Sequence, residues 1–164
     1  ELTLVDGHYE VDLELTQGET LTLTGVEGFT PAWINPDFFK PLSANSVSLV
    51  PVAGHYRIIL DPVALTIDGL VLNAAGDALA TLNDEGHGAV YFIGYGIGSP
   101  AACNEPGWTT EKGVCVPEAA PGIYKMVAQA GQEKSTTLGQ RFRVSGWSGK
   151  FFKSISYFCD KSLK

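Results

Sequence analysis

The sequence is short of cysteine, methionine and positive charge, and it holds no long hydrophobic run. No apolar stretch approaches the roughly 18 residues that a membrane-spanning helix needs. The three cysteines, Cys103, Cys115 and Cys159, form no C-x-x-C pair and join no histidine quartet, so a structural zinc site is not expected. The three histidines, His8, His55 and His87, show no H-x-H or H-E-x-x-H spacing that would put two imidazoles on one face. There is no G-x-S-x-G elbow and no D-x-D-x-D-G calcium loop. Gly94-Tyr95-Gly96-Ile97-Gly98 is glycine-rich, but it is neither a dinucleotide fingerprint nor a phosphate loop, and no helical pattern follows it. These absences lead us to expect no cofactor and no catalytic metal. The formal net charge is −7. A negative surface repels phosphate backbones, so nucleic acid is a poor partner. The chain opens at Glu1 with no initiator Met and no signal peptide, which we read as a trimmed chain whose targeting segment has been removed.

What is present points to strands. Hydrophobic residues make up 45% of the chain, enough for a packed core, and 19 glycines with nine prolines suit many short strands joined by tight turns. His8 to Leu15 alternates: Tyr9, Val11, Leu13 and Leu15 point one way, His8, Glu10, Asp12 and Glu14 the other. Gln17-Gly18-Glu19 is a turn, and Thr20 to Gly25, with Leu21 and Leu23 between threonines, follows at hairpin spacing. Val26 to Pro41, with Pro31, Pro36 and Pro41 among aromatics, reads as a shaped loop or short helical turn. Further strands are expected at Ser46 to Val50, Gly54 to Leu60, Ala64 to Asn73, Ala89 to Gly94, Ile123 to Ala130, Leu138 to Val144 and Lys150 to Phe158. Tyr95 to Pro121 reads as one long loop. No segment carries a sustained helical stripe. The expected fold class is all-β, an antiparallel β-sandwich of immunoglobulin-like or carbohydrate-binding-module-like type, built as two small packed β subdomains.

An internal echo places the division. Ala53-Gly54-His55-Tyr56-Arg57-Ile58 matches Pro121-Gly122-Ile123-Tyr124-Lys125-Met126 in pattern, and each follows a loop bearing a tryptophan, Trp33 or Trp108. We expect an N-terminal subdomain over 1–77 and a C-terminal one over 78–164. Basic residues collect late (Lys134, Arg141, Arg143, Lys150, Lys153, Lys161 and Lys164) and read as a solvated face. Cys103 and Cys115 flank a Gly/Pro-rich loop and could close it with a disulfide, a constraint of about 3 kcal/mol; Cys159 is left over.

Trp33, Trp108 and Trp147 stand in Gly/Pro-rich contexts, PAWINPDFF, NEPGWTTEKG and SGWSGKFF. An indole presents a flat apolar face with a polar N–H at its rim, which matches the C–H face and hydroxyl rim of a sugar ring. Covering roughly 100 Å² of such surface contributes about 2.5 kcal/mol before the costs of binding. Buried tryptophans that merely plug a core are the competing explanation. Asn104, Glu105 and Lys150 lie close in sequence to the indoles and could hydrogen-bond the ring edges, as could Asn35 and Asp37 beside Trp33. Glycoside hydrolysis needs two carboxylates at a set separation. Asp61, Asp68, Asp84, Glu85, Glu105, Glu111 and Glu118 are no more than any acidic chain offers, so we expect no enzyme.

The stretch AVYFIGYGIGSPAACNEPGWTTEKGVCVPEAAPGIYKMVAQAG resembles the domain pattern of SusE/SusF-like outer-membrane glycan-binding lipoproteins of Bacteroidetes. The resemblance rests on Val90 to Gly94, Pro106-Gly107-Trp108 and Gly122-Ile123-Tyr124, and GETLTLTGVEG with WINPDFF and GHYRIIL resembles the preceding β domain of such proteins. It implies β-sandwich modules lipid-anchored on the extracellular face of the outer membrane, in the company of a glycan importer complex, that retain polysaccharide or oligosaccharide for uptake without catalysis. Trp108 carries over by position and Trp147 more loosely. The C-terminal KFFKSISYFCDKSLK departs from the pattern, and the lipid-attachment cysteine is absent. The alternative is a structural immunoglobulin-like spacer or protein-interaction domain of a surface lipoprotein.

Overall fold

Strict alternation makes His8–Leu15 a strand, and the rest of the N-terminal half is assembled around it. The computed structural model describes residues 1–25, 28–93, 113–128, 143–145 and 155–159. The chain divides into two compact units, Glu1–Ala80 and Thr81–Lys164. The described residues contain strands and no helix.

The first unit contains β1 (Thr3–Val5), β2 (His8–Leu15), β3 (Thr20–Thr22), β4 (Trp33–Ile34), β5 (Phe39–Ser43), β6 (Ser46–Leu49), β7 (Gly54–Asp61) and β8 (Thr66–Val71). One sheet has the order β1-β2-β7-β8-β4, the other β3-β6-β5. The sheets meet through their apolar faces, giving a β-sandwich. Tyr56, Ile58 and Leu60 of β7 and Ile67 and Val71 of β8 are buried on one side, Phe39, Val47 and Leu49 on the other. Phe38 is wholly enclosed, its ring 6.0 Å from Phe39 and 6.4 Å, edge-on, from Tyr56. It can sit there because residue 69 is a glycine: a Cβ at Gly69 would lie 2.6 Å from Phe38 Cδ1.

The second unit contains β9 (Ala89–Ile93), β10 (Val114–Ala120), β11 (Ile123–Ala128), β12 (Arg143–Ser145) and β13 (Ile155–Cys159) in the order β12-β9-β10-β11-β13. Val90, Val116, Tyr124 and Met126 form its core, with Leu82 and Val114 packed against them.

Several expectations need correction. Thr20 to Gly25 does not form a hairpin with β2. Both edges of β2 are already taken, by β1 and β7, so β3 crosses over and pairs with β6 in the second sheet. The segment 26–41 is not all loop. Trp33 and Ile34 pair with Thr66 and Ile67 as β4, and Phe39 opens β5. Tyr95 to Pro121 is not one loop either, because β10 lies inside it and pairs with both β9 and β11. Nor are the sheets wholly antiparallel: β4 runs parallel to β8, and β13 parallel to β11.

The echoed segments play one role in both units. Tyr56 and Tyr124 are both buried, and each hydroxyl donates to a main-chain carbonyl, of Val52 and Gly86 respectively. A buried phenol needs such an acceptor. The chain order differs, however. The parallel edge strand β4 precedes β7 and β8 in the first unit, whereas β13 follows β10 and β11 in the second.

Candidate functional site

The face of the larger sheet that points away from the sandwich core carries most of the describable chemistry. With Ile58, Leu60 and Ile67 turned inward, the two-residue period sends His8, Glu10, Asp12 and Glu14 of β2, His55, Arg57 and Ile59 of β7, and Thr66, Asp68 and Leu70 of β8 outward. The parallel pairing of Trp33 with Thr66 puts the indole on this outer face, at its edge. Trp33 is half-buried, so part of its surface is open to solvent.

The register aligns groups across the strands. Thr66 stands beside Trp33 and pairs with Asp61; Ile59 lies between Glu10 and Asp68. Neighbouring strands are about 4.8 Å apart, so the row from Trp33 across β8 and β7 to β2 spans roughly 14 Å. In the middle of the face Arg57 grips Asp12 with two parallel bonds, Nε to Oδ1 at 2.7 Å and Nη2 to Oδ2 at 2.8 Å. Its Nη1 lies 3.3 Å from Glu10 Oε2, and His8 Nε2 is 2.7 Å from Glu10 Oε1. The guanidinium holds the Asp12 carboxyl below its ordinary range, and the Arg57 pKa rises in turn. Planar, bidentate pairing of this kind fixes both side chains.

The surroundings of Trp33 are held by a buried amide. Asn35 Nδ2 donates to Asp68 Oδ1 at 2.7 Å, and Asn35 Oδ1 accepts from Asp37 N at 2.9 Å. The Asn35 carbonyl also accepts from Phe38 N and Phe39 N, closing the turn that Pro36 starts. Burial pushes the Asp68 carboxyl above its ordinary range, against the pull of the bonds from Asn35 and Gly69 N. At the other end of β4, Leu65 adopts φ +56° and aims its carbonyl at Ala32 N and Trp33 N, at 2.7 and 3.2 Å. A leucine in the left-handed region costs about 1 kcal/mol or more, and here it docks the strand that carries the indole.

A second constellation occupies the other unit. Glu118, 4% exposed, accepts from Gly122 N and lies 2.8 Å from His87 Nδ1. The β-bulge between Glu118 and Ala120 sits at this carboxyl. Burial, together with the Glu118 charge, raises the Tyr124 hydroxyl above its usual range. The Asn83 to Gly88 turn that presents His87 is tied down by Asn83 Oδ1, which accepts from Glu85 N and His87 N. The pairing across 31 residues has no counterpart in local pattern, so His87 looks like an ordinary turn histidine in the sequence. Among the described residues no three His, Cys, Asp or Glu side chains converge on a metal position.

Of the sequence-derived candidates, Trp33, Asn35, Asp37 and Cys115 lie within the described residues. Asn104, Glu105, Trp108, Trp147 and Lys150 lie outside them, as does Cys103. Cys115 is buried in β10. Trp33 is therefore brought together with Asn35, Asp68 and Thr66, a grouping that local sequence suggests for Asn35 alone.

No curated protein and no solved structure matches the chain. Residues 1–75 match the family model of a domain of unknown function, DUF5125, and residues 85–164 that of a second, DUF5121, both of them domains of Bacteroidetes-type surface proteins.

Proposed function

We propose that the chain is a non-catalytic, SusE/SusF-like glycan-binding module of a bacterial surface lipoprotein, held on the outer face of the outer membrane to retain polysaccharide for uptake. The observation that carries this reading is Trp33, partly open on the outward sheet face and braced by the Asn35–Asp68 pair. A sheet face is rigid, so the indole stacks on a sugar ring with little ordering cost. Thr66 and the charged lattice beyond it supply hydrogen bonds along a flat track.

Charge narrows the ligand. Residues 1–80 carry eleven carboxylates against two basic side chains, Lys40 and Arg57, a net of −9. Arg57 is already engaged by Asp12. This face therefore suits a neutral glycan and repels a uronic or sulfated one. On the second unit, Trp108 and Trp147, with Asn104, Glu105 and Lys150, remain the proposed contacts.

Affinity electrophoresis of the full chain in gels containing neutral or acidic polysaccharides tests this. Retardation is expected in at least one neutral gel, and it should weaken in Trp33→Ala. Full retardation of that variant would remove Trp33 from the site, and release of new reducing ends on prolonged incubation would replace retention with hydrolysis.

A further inference from the structure

Among the described residues of the first unit, the smaller sheet does not fully cover the larger one, and one flank of the sandwich is open. Tyr56, Ile58 and Leu60 of β7 are 1%, 4% and 1% exposed. Tyr9, Val11 and Leu13 of β2 face the same side but are only half-buried. An apolar groove of about 740 Å³ lies there, with Val11, Ile58 and Leu60 in its lining and Leu21 and Leu23 from the β3 segment beside it.

The edge next to that groove is the outer side of β3, which pairs with β6 alone among the described residues. Leu49 N donates to Glu19 O at 2.9 Å and Leu23 N to Asn45 O at 2.8 Å, on either side of the Leu21–Val47 pair. Bonded and non-bonded pairs alternate along an antiparallel ladder. The bonds to β6 therefore fall at residues 19, 21 and 23, and the N–H and C=O groups of Thr20 and Thr22 point away from the sheet. Among the described residues nothing meets them. The opposite edge is guarded: β5 contains Lys40 and Pro41 and is bulged between Pro41 and Ser43. Lysine, proline and bulges are the usual protection against strand addition, and β3, Thr20-Leu21-Thr22, has none of them.

We infer that this flank is a docking site for an extended segment of a partner protein, which adds to β3 as a fourth strand of the small sheet. A row of outward main-chain donors and acceptors selects an extended chain, whatever its side chains. The apolar groove selects apolar side chains at alternate positions, directed onto Val11 and Leu13. Tyr9 to Leu13 spans about 14 Å, the length of a five-residue strand. Among the described residues of the lining Glu1 is the one that is charged, and the unit around it carries a net −9, so the segment has basic flanks. This surface lies on the inward side of β2, away from the Trp33 face, and does not depend on the glycan reading.

The test uses the full chain and a fluorescein-labelled peptide, Lys-Thr-Leu-Thr-Leu-Thr-Lys, followed by anisotropy. Thr22→Pro deletes one outward N–H and keeps the bonds to β6 at residues 21 and 23; Val11→Glu spoils the groove from a half-exposed position. Saturable binding is expected, weakened roughly tenfold or more by either change, as loss of one or two hydrogen bonds or of an apolar contact implies. Two N-methylated peptides supply the control. Methylating one alternating set of amides should abolish binding, and methylating the other should leave it. An unaltered melting temperature of Thr22→Pro shows that the sheet persists. Absence of saturable binding, indifference to Thr22→Pro, or equal binding of both methylated peptides would overturn the inference. So would a concentration-dependent dimer in sedimentation that Thr22→Pro dissolves, since the occupant would then be a second copy.

Discussion

Replacing Gly69 with alanine puts a methyl group into the tightest contact of the first unit's core. The added Cβ would lie 2.6 Å from Cδ1 and 2.8 Å from Cγ of Phe38. Carbon atoms rest at about 3.5–4.0 Å, so the ring must withdraw by roughly 1 Å. Phe38 is 0% exposed and is hemmed in by Phe39 and Tyr56, so it has no empty space to enter. Overpacking of this kind costs about 1–3 kcal/mol. Alanine recovers about 0.4–1 kcal/mol by restricting the unfolded chain. The net expectation is a loss of about 1.3 kcal/mol, which lowers the melting temperature of a unit this size by roughly 5–10 °C. Differential scanning calorimetry of the full chain reads it directly. The double variant Gly69→Ala/Phe38→Leu should lose at least ~1 kcal/mol less than the two single losses together, because leucine vacates the contested space. A Gly69→Ala protein within about 0.5 kcal/mol of the parent, a change typical of surface sites, would refute the packing described for Phe38.

Asp68 and Asp12 respond to pH with opposite signs. Burial raises the Asp68 carboxyl, so the folded state favours its protonated form and this group's contribution to stability grows as pH falls. Asp68→Asn keeps an acceptor for Asn35 and Gly69 N without the buried charge, and should be neutral or stabilising at pH 7 in urea denaturation. Asp68→Ala orphans the Asn35 amide and should cost about 1–3 kcal/mol. Asp12 is depressed by its bonds to Arg57, so its contribution is present above its ordinary value of 3.8 and lost as pH falls through the lower folded value. The pair is partly exposed, so Asp12→Asn should cost no more than about 1 kcal/mol at pH 7. The difference from the parent should shrink steadily as pH falls below 3.8, and a difference that does not change with pH would assign the effect to packing.

Segments whose structure depends on their own pattern were legible in the sequence. His8–Leu15 alternates without interruption, and Gly54 and Thr66 begin strands whose buried faces can be read from every second residue. Where partners decide, the sequence is silent. The Gln17-Gly18 turn looks the same whether the next strand pairs back or crosses over, and it crosses because β2 has no free edge. Pro117 hides β10, since a proline inside a glycine-rich stretch reads as loop; the strand forms because β9 and β11 flank it on both sides. Pro31 and Pro36 hide β4 in the same way. The aromatic part of the candidate site was visible as Trp33. Its setting was not, because Asn35 reaches Asp68 across 33 residues and His87 reaches Glu118 across 31.

The claim that matters most is that Trp33 offers an open face to a sugar. In a full-length variant with Trp108→Phe and Trp147→Phe, Trp33 is the sole indole and its fluorescence can be read alone. Iodide should quench that emission, and the neutral polysaccharide that retards the protein in gels should shield it. An indole that iodide cannot reach, or whose quenching is the same with and without the bound polysaccharide, would contradict the account.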